Sequence, residues 1–276
     1  MRFEDINSHK REEVRRRRAQ CSMSALESSR LRRASYLSLR KALAAPGVSL
    51  IAEVKCQSRS KQAYRVETGL DAGGLARIYA DNGAAAVAVL ADELFFGGSR
   101  KVVEEVSAAA AGLVPVIYKE FIVDPYQVAE AFALGADAVL IVAWPPVDVV
   151  ALRESAAYAH EFGMECGVET LTADSAAQAL AAGVRIIGIN NRDLATSVID
   201  MERSARIRAT LPASILTISE TGLRSAEDVR RAGMLGFDAV LIGEALLTAA
   251  DVGSKVHELS AAGRAVMVRE EGECPY

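Results

Sequence analysis

From Val48 onward the chain alternates short apolar runs with longer stretches whose apolar residues recur at three- and four-residue intervals. The runs are Ser49–Val54, Ala85–Leu90, Val114–Tyr118, Ala138–Ala143, Met164–Val168, Arg185–Ile189, Ser214–Ser219 and Asp238–Ile242. Most are Val, Ile, Leu and Ala without polar interruption, the pattern of parallel strands buried on both faces. Between them, Val128–Leu134 ends at Gly135, Asp174–Ala182 at Gly183, and Ala226–Met234 near Gly236. Glycine past a last helical turn is a C-cap, since it takes positive φ cheaply. Leu134-Gly-Ala-Asp-Ala-Val139 and Leu235-Gly-Phe-Asp-Ala-Val240 repeat one helix-stop, turn and strand-start phrase. Successive run ends lie roughly 20–35 residues apart, the span of one βα unit. The expectation is an α/β protein, a (β/α)8 barrel over residues 48–262. A helical extension over residues 1–47 precedes it, and a polar tail over 263–276 follows. The extension is rich in Arg, Glu, Ala and Leu, with Ser22 and Ser24 placed to break it into two helices. An open doubly wound sheet is the alternative. It calls for a Gly-rich turn after the first strand, and Lys55-Cys-Gln-Ser-Arg59 contains no glycine.

Polar residues stand at the far ends of these runs. Glu53 and Lys55 close the first, Lys119 follows the third, Glu169 the fifth, Asn190 the sixth and Glu220 the seventh. Buried charge is costly unless paired, so strands that serve packing alone have no need of it there. In a barrel these ends converge at one mouth, where catalysis occurs. Two cations, three carboxylates, an amide and Arg192 suit general acid–base work on a carbonyl or hydroxyl. Ser219-Glu-Thr-Gly222 and Gly243-Glu-Ala245 close the last two runs, and glycines there let backbone N–H groups approach a phosphate. His9, His160 and His257 fall in helices away from strand ends, so neither a Ser-His-Asp site nor a metal site is expected.

Bulk properties narrow the class further. The 276 residues suit one barrel, which commonly takes about 250. A composition 51% hydrophobic and 25% charged is that of a globular protein. The net charge of −4 gives no reason to expect nucleic acid or an anionic membrane as partner. The run Arg15-Arg-Arg-Arg18 reads as a solvated helix face. Cys21, Cys56, Cys166 and Cys274 show neither CxxC nor Cys/His spacing, as in a reducing compartment. Cys56 and Cys166 read as small apolar residues rather than reactive thiols. No stretch is apolar enough to span a bilayer and none resembles a signal peptide, so a cytoplasmic protein is expected. A monomer and a homodimer remain equally open.

Five phrases carry a resemblance: Ile51-Ala-Glu-Val-Lys55, Phe95-Phe-Gly-Gly-Ser99, Lys119-Glu-Phe-Ile-Val-Asp-Pro-Tyr-Gln127, Gly188-Ile-Asn-Asn-Arg-Asp-Leu194 and Ser219-Glu-Thr-Gly222. In order and spacing the chain resembles the indole-3-glycerol phosphate synthase family from Ile51 to about Leu247, and His9-Lys-Arg-Glu-Glu13 looks like that family's extra helix. The resemblance implies closure of an indole ring: 1-(2-carboxyphenylamino)-1-deoxyribulose 5-phosphate becomes indole-3-glycerol phosphate, carbon dioxide and water, without cofactor or metal. It implies that Lys119 protonates the ribulose carbonyl and that Glu169 accepts a proton. Lys55, paired with Glu53, would position the substrate carboxylate and assist loss of hydroxide. Asn190 and Glu220 would orient sugar hydroxyls and lysines, with Arg192 in electrostatic support. Ser58, Gly222 and Gly243 would hold phosphate, with Phe96, Thr221 and Glu244 in the binding set.

The chain departs from the family where substrate is covered and shaped. Ser58-Arg-Ser-Lys-Gln62 lacks the usual Pro and Gly of the first loop, Trp144-Pro-Pro146 follows the fourth run, Thr221 stands for Ser and Ala91 for Thr. Arg59 and Trp144 therefore motivate an alternative, the same ring closure on a substituted anthranilate-derived substrate. The altered loop motivates another, a non-catalytic phosphate-binding barrel. A Schiff-base aldolase using either lysine is a third.

Overall fold

The structure is a computed structural model that describes residues 3–28, 36–56, 71–143, 147–192 and 198–266, with backbone alone for residues 3–5. Ser58, Arg59, Trp144 and the tail from residue 267 lie outside the described residues. Eight parallel strands close into a barrel in chain order. They are β1 (Ser49–Val54), β2 (Ala86–Leu90), β3 (Val116–Glu120), β4 (Ala138–Val142), β5 (Glu165–Thr170), β6 (Ile186–Asn190), β7 (Leu216–Glu220) and β8 (Ala239–Ile242). β8 returns to β1 with Val240 opposite Leu50, so the sheet has no free edge. The chain is a (β/α)8 barrel with an N-terminal helical extension.

The crossover helices obey the turn chemistry read from sequence. After β3 comes α7 (Pro125–Ala133), after β5 comes α9 (Ala173–Ala181), and after β7 comes α11 (Ala226–Met234). Gly135, Gly183 and Gly236 follow them at φ 84°, 92° and 82°. At the other ends, Asp124, Thr172 and Ser225 accept hydrogen bonds from backbone N–H groups of the first turn. Each such cap contributes about 1 kcal/mol. The remaining crossovers are α4 (Ala72–Asp81), α6 (Arg100–Ala110), α8 (Val149–Glu161), α10 (Met201–Arg208) and α13 (Val252–Arg264), with short turns α5 (Glu93–Phe96) and α12 (Glu244–Leu247).

Strand side chains alternate between two cores. Outward residues such as Leu50, Ala52, Val87, Val89, Val139, Ile187 and Val240 pack beneath the helices. Inward residues Ile51, Ala86, Ala88, Ile117, Ala138, Leu140, Ile186, Ile218, Ala239 and Leu241 fill the barrel. The bottom is stoppered by α3 (Leu39–Leu43), whose Leu39 and Leu43 join this inner core. Glu165 fixes the stopper, accepting from Ser38 Oγ (3.1 Å) and the Arg40 backbone (2.9 Å).

The same alternation explains the upper rim. Two residues beyond Ile51 stands Glu53, beyond Ile117 Lys119, beyond Gly167 Glu169, beyond Gly188 Asn190, and beyond Ile218 Glu220. The charged residues are thus the top layer of the inward face. Four strands run further than their apolar runs suggest. Lys119, Glu169, Asn190 and Glu220 lie within strands, opposite Leu140, Gly188, Glu220 and Leu241 of the neighbouring strands. Hydropathy ends a strand where charge begins, whereas the ladder continues as long as the charges find partners.

The extension contains a third short helix beyond the two expected. α1 (Phe3–Gln20) and α2 (Met23–Ser28) are separated at Ser22, whose Oγ accepts from the Ala25 N–H (3.2 Å), and α3 follows. One face of α1 is buried by Ile6, Lys10, Glu13 and Val14, at helical spacing. Lys10 is fully buried, its Nζ 2.6 Å from Asp92 Oδ2, 3.0 Å from Glu120 Oε2 and 3.1 Å from Glu13 Oε2. Glu120 neighbours Lys119 in sequence but points out of the barrel, so β3 is gripped from outside by α1 and from inside by the rim.

Candidate active site

Contacts join the six rim residues in one chain. Lys119 Nζ lies 2.5 Å from Glu220 Oε2, 3.0 Å from Glu169 Oε2 and 3.4 Å from Glu53 Oε2. Lys55 Nζ pairs with Glu53 Oε1 at 3.1 Å. The Asn190 amide donates to Glu169 Oε1 (2.7 Å), and its Oδ1 accepts from the Arg192 backbone N–H (2.9 Å). Strands β1, β5 and β7 thus meet β3 at one ammonium, and β6 joins through the Asn190–Glu169 hydrogen bond. Glu53, Lys119, Glu169 and Glu220 are at most 6% exposed, which makes their pairing obligatory.

Burial alone would raise all three carboxyls. For Glu53 the cations of Lys55 and Lys119 outweigh burial and hold it below the usual carboxylate range. For Glu169, Lys119 and the Asn190 amide do the same. Glu220 goes the other way, because burial and the neighbouring Glu169 overcome Lys119 and push it above the ordinary range. Burial disfavours the Lys119 ammonium, yet Glu169, Glu220 and Glu53 together hold it well above the ordinary lysine range. The cluster thus sets an ammonium beside one carboxyl held toward its ionised form, Glu169, and one pushed toward its protonated form, Glu220. Two carboxyl groups with opposite shifts are how one site keeps a base and a proton donor together.

The remaining predicted residues fall around this cluster in different ways. Thr221 and Gly222 continue β7 directly, at φ 72° and 89°. Gly243 begins α12 against Glu53; a Cβ built there would lie 2.6 Å from Glu53 Oε1. Phe96 stacks over Phe121 (centroids 6.3 Å apart, planes at 26°). With Phe95, Ile6, Val142 and Leu171 it forms an apolar wall at the ends of β3, β4 and β5. Arg192 meets the cluster through its backbone. Glu244 turns to the exterior and pairs with Arg224 (3.3 Å), an ion pair open to water. His9, His160 and His257 are exposed helix residues. Cys166 is in the outer core, its thiol pushed up to about 12 by burial, and Cys56 packs against the same core.

Two contributors were not singled out from sequence. Asn191, beside Asn190, is fully buried and binds the turn after β7. Gly188 faces Glu220, and a Cβ there would sit 1.9 Å from Glu220 Oε1. A glycine inside a strand signals such a close approach, so Gly188 was the more legible of the two. Gly188→Ala is expected to displace the Glu220 carboxyl and to lower both stability and turnover, the former by about 1–3 kcal/mol. Urea unfolding beside steady-state assays measures this, and unchanged values in both would refute the close approach.

The sequence model of the family described as indole-3-glycerol phosphate synthase matches residues 3–259. A protein of that name from Roseiflexus sp. (strain RS-1) is 42% identical over 261 residues, covering 92% of this chain and 96% of its own. Another from Mycobacterium avium (strain 104) is 38% identical over 258 residues, covering 92% and 91%. Among solved structures, thiamine phosphate pyrophosphorylase from Pyrococcus furiosus superposes with a TM-score of 0.62. That match covers 83% of this chain and 99% of the other at 15% identity, a likeness of fold alone.

Proposed function

The chain belongs to the indole-3-glycerol phosphate synthase family, and from that membership we propose that it closes the indole ring of 1-(2-carboxyphenylamino)-1-deoxyribulose 5-phosphate, releasing carbon dioxide and water. It is a decarboxylating carbon–carbon lyase. The observation that carries the reading is the Lys119 ammonium in contact with Glu53, Glu169 and Glu220, with Lys55 and Asn190 one contact further on.

The aromatic carbon that bears the carboxylate attacks the ribulose carbonyl, and the carbonyl oxygen gains negative charge. Lys119 stabilises that oxyanion in a water-poor site and then donates its proton. An ammonium held far above its usual range is a weak acid toward a ketone, but an alkoxide is a stronger base than an amine and takes the proton. Carbon dioxide leaves and restores the ring electrons. The new hydroxyl then departs as water, which requires one proton delivered and one removed. Lys55, oriented by Glu53, delivers the first, and ionised Glu169 removes the second. Asn190 and neutral Glu220 orient the sugar hydroxyls and the ammonium of Lys119.

The Phe96–Phe121 wall suits the substrate's aryl ring, which wants an apolar face. The glycines Gly222 and Gly243 suit its phosphate, with Ser58 and Thr221 supplying hydroxyls and Arg192 a positive field. No helix among the described residues is long and apolar enough to cross a membrane. The biosynthetic reaction proposed here, on a small sugar phosphate, fits a cytoplasmic enzyme acting as monomer or homodimer. Incubation of the purified protein with the substrate, followed by indole fluorescence, tests the reading. A rise is expected; a flat trace from folded protein would reject it.

A further inference from the structure

The turn after β7 contains the one non-glycine residue with positive φ among the described residues, Thr221 at 72°. Left-handed backbone is unfavourable for any side chain and most so for a β-branched one. Such a conformation persists only where its surroundings over-determine it, and it concentrates at functional sites. Gly222 follows at 89°, so two consecutive residues hold this geometry immediately beyond Glu220.

What over-determines the turn is Asn191. Its side chain is buried completely, and its amide nitrogen is spent on the turn and on the strand that leads into it. Nδ2 donates to Thr221 O (2.8 Å) and to Ser219 Oγ (3.1 Å). A carbonyl oxygen only accepts, so the amide nitrogen is the atom that faces it. The Asn191 backbone adds two ties: its N–H donates to Glu220 O (2.8 Å), and its carbonyl accepts from the Asp200 N–H (2.9 Å). The second tie holds the segment that carries Ile199, whose Cγ2 would lie 2.6 Å from a Cβ at Gly222. Ile199 thus occupies the space that a side chain at 222 would need.

We propose that Asn191 is a positioning residue that clamps Thr221 in the left-handed region and so presents the Thr221–Gly222 backbone to the substrate's phosphate. The phosphate assignment rests on the ring-closing function proposed above; the clamp itself does not. Asn191 touches neither the Lys119 ammonium nor the carboxylates around it. Its loss is therefore felt in substrate binding before chemistry.

A double-mutant cycle with Thr221→Gly tests the clamp, because glycine adopts positive φ without one. In the Thr221 background, Asn191→Ala is expected to raise KM about tenfold while kcat moves much less. In the Thr221→Gly background the same change should raise KM by about twofold or less. The urea midpoint should show the same pattern, with the larger drop where Thr221 is present. Asn191→Asp, which keeps the shape but replaces the donors by a carboxylate facing a carbonyl, should behave at least as badly as alanine. If Asn191→Ala alone fails to fold, the double variant should fold, and its failure would overturn the clamp. Equal effects of Asn191→Ala in both backgrounds, in KM and in midpoint, would overturn it too while leaving wild-type turnover and the ring-closing function intact. Absence of wild-type turnover would remove that function, and the midpoint cycle would still decide the clamp.

Discussion

Lys119→Met is expected to lower kcat/KM by at least about a thousandfold, roughly 4 kcal/mol of transition-state stabilisation. Methionine keeps an unbranched apolar side chain as far as Cε and removes the ammonium group. Removing one donor to a developing oxyanion commonly costs about 10²–10³ in rate, and removing a general acid about 10²–10⁴. Both losses fall on one residue here. A third follows from the geometry. Glu169 stays ionised because Lys119 stands 3.0 Å away. Without that ammonium, burial raises its carboxyl, and the proposed base becomes protonated as well. Product affinity should change far less than turnover, because the Thr221–Gly222 turn and Gly243 are untouched. A loss below tenfold, measured by indole fluorescence on folded protein, would remove Lys119 from the chemistry. Loss of product affinity in step with turnover would make Lys119 a binding residue rather than a group of the chemistry.

Lys10→Met is expected to lower the unfolding free energy by about 3–5 kcal/mol, the usual cost of leaving buried carboxylates without their cation. Lys10 is fully buried with Asp92, Glu120 and Glu13 around its ammonium. Burial and the nearby Asp92 push Glu120 up to about 7 against an ordinary 4.5, even with Lys10 opposing them. A carboxyl raised in the folded state holds its proton more tightly there than in the unfolded chain. Its contribution to stability is therefore complete below pH 4.5 and lost as pH rises through about 7. Without Lys10 the folded value rises further and the loss extends to higher pH. Urea unfolding of wild type and Lys10→Met at pH 6 and pH 8 should show the larger gap at pH 8. Arg15→Met is the control: its pair with Glu12 is exposed, and such pairs contribute about 0–1 kcal/mol. A Lys10 effect as small as that of Arg15, or one independent of pH, would contradict the ionic anchoring of α1.

Much of the site was legible because its residue types are out of place in their strands. Glu53 interrupts an aliphatic run and Lys119, Glu169 and Glu220 each close one, and burial allows charge there only with a partner. Ile117 and Lys119 could be assigned to one face by counting in twos. Glu244 shows the limit of such reading. It follows Gly243 at a strand end as Glu220 follows Ser219, yet its carboxylate pairs outward with Arg224. Strand alternation places Glu220 on the inward face, and α12 carries Glu244 away. Lys10 shows the converse. In a helix of low hydropathy it reads as a solvated lysine, and only the distant Asp92 and Glu120 make it an interior residue.

Periodicity and glycine placement alone determined the eightfold βα repeat, the helix ends at Gly135, Gly183 and Gly236, and the identity of the residues at the strand ends. These are local or short-range properties, written in the spacing of side chains along the chain. Tertiary structure decided which residue pairs with which. The convergence of Glu53, Glu169 and Glu220 on Lys119 follows from barrel closure, and their opposite proton affinities follow from burial beside one shared ammonium. The clamp of Asn191 on Thr221 likewise needs β6 and β7 to be neighbours. Contacts between residues far apart in sequence exist only once the chain has closed on itself, and both charge pairing and backbone strain depend on such contacts.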